Sequence, residues 1–225
     1  MNILETLKSL DTDLFGLINR HFSPFFDNFM YAVSEKLIWI PLYISVLFLL
    51  IKTRKKEAIW LILALILCIV ISDQVSSGIL KDLVKRLLPS HAEDLKGMVH
   101  LVRNYSGGLY GFASSHAANA FGFALLSSLI FKRKLYTYSI FTWAAITAYS
   151  RIYLGVHYPL DVLGGAVIGI VAALICFLGL KKLRPETLGN DNFKRKNEVD
   201  LIPVLVLIMT LLGIIIYSII ALQSR

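Results

Sequence analysis

The chain has 225 residues, 56% of them hydrophobic, and a formal net charge of +8. Several apolar runs exceed the length that a soluble core helix needs, so the composition predicts a membrane protein rather than a soluble domain. The basic residues cluster between apolar runs, which is typical of loops and lipid head-group contacts and argues against a nucleic-acid-binding surface. The two cysteines lie inside apolar runs and have neither metal-site nor disulfide spacing.

The first 36 residues do not form a span. Apolar residues recur at a three-four spacing from Ile3 to Leu17, with charged residues between them. This pattern predicts an amphipathic helix that lies in the membrane interface or packs on other helices, with a break at Ser23-Pro24. A cleavable signal peptide is not expected, because the segment lacks a basic start and an uninterrupted apolar core. We therefore divide the chain into an interfacial segment, 1–36, and a transmembrane domain, 37–225.

Six apolar runs follow and predict about six transmembrane helices. They cover about 37–51, 58–80, 113–131, 135–149, 160–180 and 201–222. Gly165 and Gly169 in the fifth run have the spacing that permits close helix packing. Lys and Arg concentrate after the first, third and fifth runs, which places those loops in the cytoplasm and the other loops outside. The predicted fold class is all-α, a polytopic membrane bundle.

Asp73 lies near the end of the second run, among polar neighbours. An ionisable side chain at such a position usually faces a cavity or the bundle interior. The sequence leaves two interpretations open, a functional-site residue and a polar contact between packed helices.

The segment 150–161 contains four groups that can handle a phosphate. They are the hydroxyl of Ser150, the guanidinium of Arg151, the imidazole of His157 and the carboxylate of Asp161. Pro159 fits the first position of the next helix, so His157 precedes that helix and Asp161 lies in its first turn. The i,i+4 spacing lets the carboxylate hold one imidazole nitrogen and leaves the other nitrogen free to attack.

Two other segments are predicted on the same outer side of the membrane. One contains Lys81, and the other is Ser114-Ser115-His116 at the start of the third apolar run. A helix start with a serine cap and free N–H groups is an anion site. Two histidines on separate helices, with cations and N–H donors between them, are suited to phosphoryl transfer.

These three segments together resemble the signature of the type 2 phosphatidic acid phosphatase (PAP2) superfamily, which includes the vanadium haloperoxidases and glucose-6-phosphatase. The matching elements are Lys81-x7-Pro89, Ser114-Ser115-His116 and Ser150-Arg151-x5-His157-x3-Asp161. The resemblance implies a helical bundle with a haloperoxidase-like core. It also implies hydrolysis through a phosphohistidine intermediate, with no metal and no other cofactor.

The family's residue roles transfer only onto matching positions. The resemblance implies that His157 is the nucleophile, that Asp161 orients it, and that His116 is the general acid for the leaving group. The implied phosphate ligands are Lys81, Ser114, the backbone N–H of Ser115 and Arg151. Ser150 belongs to the motif, and its role stays open.

The chain departs from the family pattern at three positions. Leu88 stands where the family has arginine, Ala113 where proline is usual, and Ser115 where glycine is usual. The last two changes are expected to keep the backbone geometry. The first removes a bidentate phosphate donor that a lysine does not fully replace.

Three nearby cations are candidate auxiliary residues for the missing guanidinium, namely Lys85, Arg86 and Arg103. Helical spacing would place Lys81 and Lys85, but not Arg86, on the face of position 88. That spacing favours weaker phosphate binding over replacement by Arg86. It also predicts that Leu88→Arg raises the turnover of a phospholipid substrate.

The resemblance implies an integral membrane lipid phosphatase of a bacterial inner membrane, with its site facing the periplasm or exterior. Lys96 and Arg103 in the 81–112 connection favour a bulky, multiply charged head group such as lipid A. Undecaprenyl diphosphate, phosphatidylglycerol phosphate and phosphatidic acid stay open as substrates. Other classes also stay open: a catalytically weakened homologue in lipid binding or transport, and a channel or structural protein, which needs no paired histidines. The expected partners are a lipid phosphate and the bilayer, and the sequence leaves the oligomeric state open.

Overall fold

The computed structural model describes residues 3–189 and 201–223, which form helices and short turns without an extended strand. Two helices precede the first apolar run, and a third, very short one follows the second run. The helices are α1 (Ile3–Asn19), α2 (Pro24–Ser34), α3 (Ile40–Arg54), α4 (Ala58–Asp73), α5 (Lys81–Val84), α6 (Ser115–Phe131), α7 (Lys134–Tyr153), α8 (Pro159–Leu183), α9 (Glu186–Gly189) and α10 (Ile202–Gln223).

The six predicted runs correspond to α3, α4, α6, α7, α8 and α10, and a π-helical segment, Gln74–Leu80, extends α4. Among the described residues, three helical stretches are long and apolar enough to cross a membrane: Lys36–Val84, Pro159–Leu183 and Ile202–Gln223. The first of these contains both α3 and α4, and a positive φ at Lys55 marks the end of α3 within it. Helix α6 is apolar but shorter, and α7 is not among the three stretches.

Helices α6 and α8 form the closest helix pair in the bundle. A Cβ on Gly165 would overlap the carbonyl oxygen of Ser114, and one on Gly169 would overlap the carbonyl oxygen of Ala118. Small residues therefore let the two backbones touch, as the glycine spacing predicts. The contact places the start of α6 beside the start of α8.

The N-terminal segment divides at Ser23, as predicted. The Ser23 hydroxyl accepts a hydrogen bond from the Phe26 N–H and caps α2. In α1 the leucine stripe faces outward, whereas the face that packs on the bundle buries Asp11, Phe15 and Asn19. The interfacial and the packed interpretation of α1 each describe one of its faces. One face packs on the other helices, and the opposite face presents apolar side chains to the surroundings.

The long connection between α5 and α6 is fastened to the N-terminal helices. Asn19 binds the backbone of His100 at both its N–H (2.8 Å) and its carbonyl (3.0 Å). The His100 ring contacts the Asp27 carboxylate at 2.9 Å and stacks on Phe22. Further along, Gly111 N–H donates to the carbonyl of Arg86 at 2.8 Å. These bonds hold the connection over the end of the bundle where α6 and α8 begin.

Candidate active site

His157 lies in the turn between α7 and α8, and its side chain is only 6% exposed. Its Nδ1 lies 3.5 Å from Oδ2 of Asp161. Pro159 begins α8 and Asp161 falls in the first turn, as the spacing predicts. A carboxylate beside Nδ1 favours the tautomer with its proton on that nitrogen, which leaves the Nε2 lone pair free.

The Asp161 carboxylate is itself fixed from several directions. It accepts hydrogen bonds from the Tyr158 N–H and from Nη1 of Arg86, both at 3.0 Å. Arg86 also binds Asp11 Oδ2 at 2.7 Å, and Asp11 Oδ1 accepts the N–H of Leu160 at 2.9 Å. Since Asp11 belongs to α1, the N-terminal helix is tied to His157 through two carboxylates and one guanidinium.

Burial lowers the pKa of His157 to about 4, and the Asp161 carboxylate opposes this shift only in part. The cations Arg151 and Lys81 add to the lowering because they repel an imidazolium. The imidazole of His157 is therefore neutral at pH 7, which is the state that a nucleophile needs.

The start of α6 supplies donors beside His157. Ser114 N–H donates to the backbone carbonyl of Asp161 at 2.9 Å, which joins the starts of α6 and α8. The Ser114 hydroxyl is buried and has no hydrogen-bond partner in the described part of the chain. The N–H groups of Ser115 and His116 belong to the first helical turn, where no helical acceptor exists. Together these groups are a candidate anion site.

His116 has several charged neighbours. Arg151, Lys36, Lys81 and His157 all lie within electrostatic range of its imidazole. The two histidines, 41 positions apart in the printed sequence, therefore lie within electrostatic range of each other. Roles for these residues stay predictions, but the structure brings the predicted histidines, cations and N–H donors together.

A cavity of about 280 Å³ is lined by His116 and Arg151, and we call it the phosphate cavity. Arg151 is buried at its edge and donates to the hydroxyls of Tyr105 (3.1 Å) and Ser34. Lys36 also lines this cavity and has no hydrogen bond or ion pair within residues 3–189 and 201–223. An unengaged cation beside a buried arginine is an available phosphate ligand.

Lys36, Ser34 and Tyr105 were not among the site residues predicted from the sequence. For Lys36 a signal was present, because it directly precedes the first apolar run and so lies on the predicted outer side with the motif residues. Ser34 and Tyr105 carried no comparable signal, since a lone hydroxyl in a helix or a loop is common.

Two motif residues have different surroundings. Lys81 begins α5 and is half-buried within electrostatic range of Arg151 and Asp73. Ser150 is fully buried and donates its hydroxyl to the carbonyl of Thr147 at 2.7 Å, inside α7. Its contribution is therefore to the local helix, and Lys81 stays a candidate phosphate ligand.

The predicted auxiliary cations do not lie with the phosphate ligands. Helix α5 ends at Val84 and Lys85 has a positive φ of 47°, so the assumed helical spacing to position 88 is wrong. Lys85 is exposed, and Arg86 binds the carboxylates of Asp11 and Asp161.

Arg103 also faces elsewhere. It donates to Asn28 Oδ1 at 3.1 Å and to the Tyr217 hydroxyl at 2.8 Å, and it covers the ring of Tyr31.

Leu88 is only 2% exposed, and a Cβ on Gly111 would come within 2.6 Å of it. An arginine at position 88 would have to enter this packed region, so the structure removes the basis for a gain of turnover in Leu88→Arg.

A second cavity, of about 430 Å³, shares His116, Ser34 and Lys36 with the phosphate cavity and extends between the helices to Trp143, and we call it the inner cavity. Asp73 lines it and accepts a hydrogen bond from Asn119 at 3.0 Å, so the site-residue interpretation of Asp73 stays open. Within the described ranges, no three His, Cys, Asp or Glu side chains come together as metal ligands. The inner cavity is lined by Ser34, Lys36, Trp39, Tyr43, Ile69, Val70, Asp73, Gln74, His116, Asn119, Ala120, Trp143 and Thr147.

Comparison with known proteins identifies relatives of the whole chain. The PAP2 superfamily model matches residues 57–185. The chain is 38% identical to a lipid A 4'-phosphatase of Bacteroides thetaiotaomicron, over 97% of this chain and 99% of that protein. It is also 38% identical to a lipid A 4'-phosphatase of Porphyromonas gingivalis, over 75% of this chain and 72% of that protein.

Two solved structures resemble the fold. The crystal structure of Aquifex aeolicus LpxE matches with a TM-score of 0.57 and 31% identity, over 75% of this chain and 95% of that chain. The transmembrane PAP2-type phosphatidylglycerolphosphate phosphatase of Bacillus subtilis matches with a TM-score of 0.62 over 80% of this chain and 88% of that chain. At 18% identity, the second match shows the fold alone.

Proposed function

The chain belongs to the PAP2 superfamily and is an integral membrane protein, and on this premise we propose that it removes the 4'-phosphate of lipid A. The observation that carries this proposal is the full-length similarity to the Bacteroides lipid A 4'-phosphatase. The site geometry supports it, because a neutral buried imidazole lies within electrostatic range of a second histidine and of the cations Arg151 and Lys81.

In the first step, Nε2 of His157 attacks the phosphorus atom as the bond from phosphorus to the sugar oxygen breaks. His116 gives a proton to that oxygen, and the sugar leaves as an alcohol. Asp161 holds the Nδ1 proton of His157 and stabilises the positive charge on the phosphorylated ring. The product of this step is a phosphohistidine.

The phosphoryl oxygens gain negative charge on the way, so cations and N–H donors must surround them. We assign this role to Arg151, Lys81 and Lys36, to the Ser114 hydroxyl and to the first N–H groups of α6. Lys36 thereby supplies, beside Arg151 and Lys81, the third cation that Leu88 cannot supply. The missing arginine alone would favour the alternative of a catalytically weakened homologue that binds or transports lipid. With Lys36 as a phosphate ligand, the missing arginine no longer favours that alternative.

In the second step, a water molecule attacks the phosphohistidine. His116, now neutral, accepts a proton from this water, and His157 leaves with its lone pair restored. Inorganic phosphate is released, and both histidines return to their starting states.

The site is proposed to face the periplasm or the cell exterior. The support is the distribution of Lys and Arg, which favours a cytoplasmic position for the loops after the first, third and fifth apolar runs. The turn that carries His157 then lies at the opposite surface, beside the head groups of the outer leaflet.

The test is phosphate release from purified protein in detergent, with lipid A, undecaprenyl diphosphate and phosphatidylglycerol phosphate as parallel substrates. We expect release from lipid A, with mass spectrometry locating the loss at the 4' position and His157→Ala abolishing it. Undecaprenyl diphosphate hydrolysis with untouched lipid A would overturn the substrate assignment. Release that persists unchanged in His157→Ala would overturn the mechanism.

A further inference from the structure

The inner cavity contains buried polar atoms that the protein leaves without partners. Trp143 is 2% exposed and Thr147 is 5% exposed, yet neither the indole N–H nor the threonine hydroxyl has a hydrogen-bond partner in the described chain. The side-chain oxygen of Asn119 is likewise buried and unpartnered. Buried polar groups are costly unless something binds them, so three in one cavity indicate a polar ligand.

A carboxylate and two aromatic side chains complete the lining. Asp73 lies at the end of α4 and is bound to Asn119 at 3.0 Å. Ionisable side chains inside membrane spans usually mark a substrate path. The aromatic residues Trp39 and Tyr43 also line the cavity, so hydrogen-bonding groups and apolar ring surfaces share one volume. A ligand that matches them must combine hydroxyl or amide groups with apolar faces.

The position of the inner cavity beside His116 indicates which part of the substrate it would hold. His116 lines both the phosphate cavity and the inner cavity, as do Ser34 and Lys36, whereas Arg151 lines the phosphate cavity and not the inner one. A general acid must contact the oxygen between phosphorus and the leaving group. With the phosphate beside Arg151 in the phosphate cavity, the leaving group extends past His116 into the inner cavity.

We propose that the inner cavity is a binding site for the sugar ring of the leaving group, an amino sugar carrying hydroxyl and amide groups. The inference rests on the proposed function and extends it to substrate selection. A sugar offers acceptors to Trp143 and Thr147, donors to Asp73 and Asn119, and C–H faces to the aromatic rings. An isoprenoid chain would fill the same space and leave the polar atoms of Trp143, Thr147 and Asn119 unpaired, which disfavours it.

The experiment compares Thr147→Val and Asp73→Asn with a matched control, Thr142→Val, because Thr142 is exposed on the same helix α7. The substrates are lipid A, undecaprenyl diphosphate and p-nitrophenyl phosphate. We expect each cavity variant to lose about tenfold in kcat/KM on lipid A, the effect of one unpaired buried polar group. The other two substrates and the control variant should change less than about twofold.

Equal losses on all three substrates would overturn the inference, because they would show that these residues act on His116 rather than on the sugar. Unchanged lipid A kinetics in both variants would also overturn it, with the proposed function intact. Absence of lipid A hydrolysis by the unmodified protein would instead remove the proposed function and the inference with it. Thermal unfolding in detergent identifies a variant that fails to fold. The kinetics of the other cavity variant then test the inference.

Discussion

The two histidines of the site have opposite surroundings. His157 is buried and set beside Asp161, which Arg86 and a backbone N–H hold in turn. His116 has no side-chain hydrogen bond among the described residues, and it borders two cavities. One imidazole is therefore held in place before any substrate arrives, and the other faces the space that a substrate would occupy.

This difference matches the chemistry of the two roles. A nucleophile needs one fixed tautomer and a defined direction of attack, which neighbouring protein groups can supply. A general acid must contact a leaving group that differs between substrates, so open space beside it is necessary. The proposed assignment of roles thus follows from burial and hydrogen bonding as well as from the motif.

The largest expected effect is the loss of rate in the two histidine variants, which should depend on the leaving group of the substrate in one variant and not in the other. His157→Ala should lower kcat by about a thousandfold or more on every substrate, because no phosphohistidine forms. His116→Ala should lose about a hundredfold on lipid A but far less on p-nitrophenyl phosphate, whose phenolate leaves without a proton. Steady-state rates on both substrates measure the difference. Identical loss profiles for the two variants would contradict the assignment.

A smaller effect is expected from the support of His157. Asp11→Asn removes the charge that holds Arg86 against Asp161, so kcat should fall about fivefold at unchanged KM. Asp13→Asn, an exposed change on the same helix, is the matched control and should change neither constant. A rise in KM without a change in kcat would place Asp11 in substrate binding instead.

Lys36 tests the phosphate cavity. Lys36→Gln should raise KM for lipid A and the inhibition constant of orthovanadate by about fivefold, because both anions lose one cation. Lys56→Gln, in the turn after α3, serves as the control for loss of charge alone. If vanadate inhibition is unchanged in Lys36→Gln, another group fills the position of the missing arginine.

The smallest effect concerns pH and stability. The folded pKa of His157 is about 4, below the value of about 6.5 for an unfolded histidine, so the unfolded chain takes up the proton first. The free energy of unfolding therefore decreases as the pH falls from about 6.5 towards 4, and the decrease at pH 5 is on the order of 1–2 kcal/mol. His157→Asn should lack this part of the loss in thermal unfolding at pH 7 and pH 5. Parallel losses would show that His157 is not the group responsible.

Local sequence patterns predicted much of this molecule. Hydropathy located the six long helices, the glycine spacing predicted the contact between α6 and α8, and Pro159 predicted the position of Asp161. Each of these features depends on residues a few positions apart. These features arise from burial and helix geometry, which can be predicted from a single segment of the sequence.

Long-range contacts were not predictable in the same way. Asp11 meets Arg86 from a helix 75 positions away in the printed sequence, and nothing in either segment specifies that pair. The role of Arg86 depended on where α5 stops, and Lys85 ends it with a positive φ that helical spacing could not predict. The unpartnered groups of Trp143 and Thr147 became visible only once neighbouring helices enclosed them.

The central claim is that His157 takes the phosphoryl group from the lipid, and rapid quenching tests it directly. Wild-type protein would be mixed with lipid A, stopped within milliseconds in alkali, where phosphohistidine persists, and digested for mass spectrometry. We predict a phosphoryl group on the peptide containing His157, absent from His157→Ala and absent without lipid A. Steady turnover with no phosphorylated peptide at any time, or with the label on His116, would contradict the account.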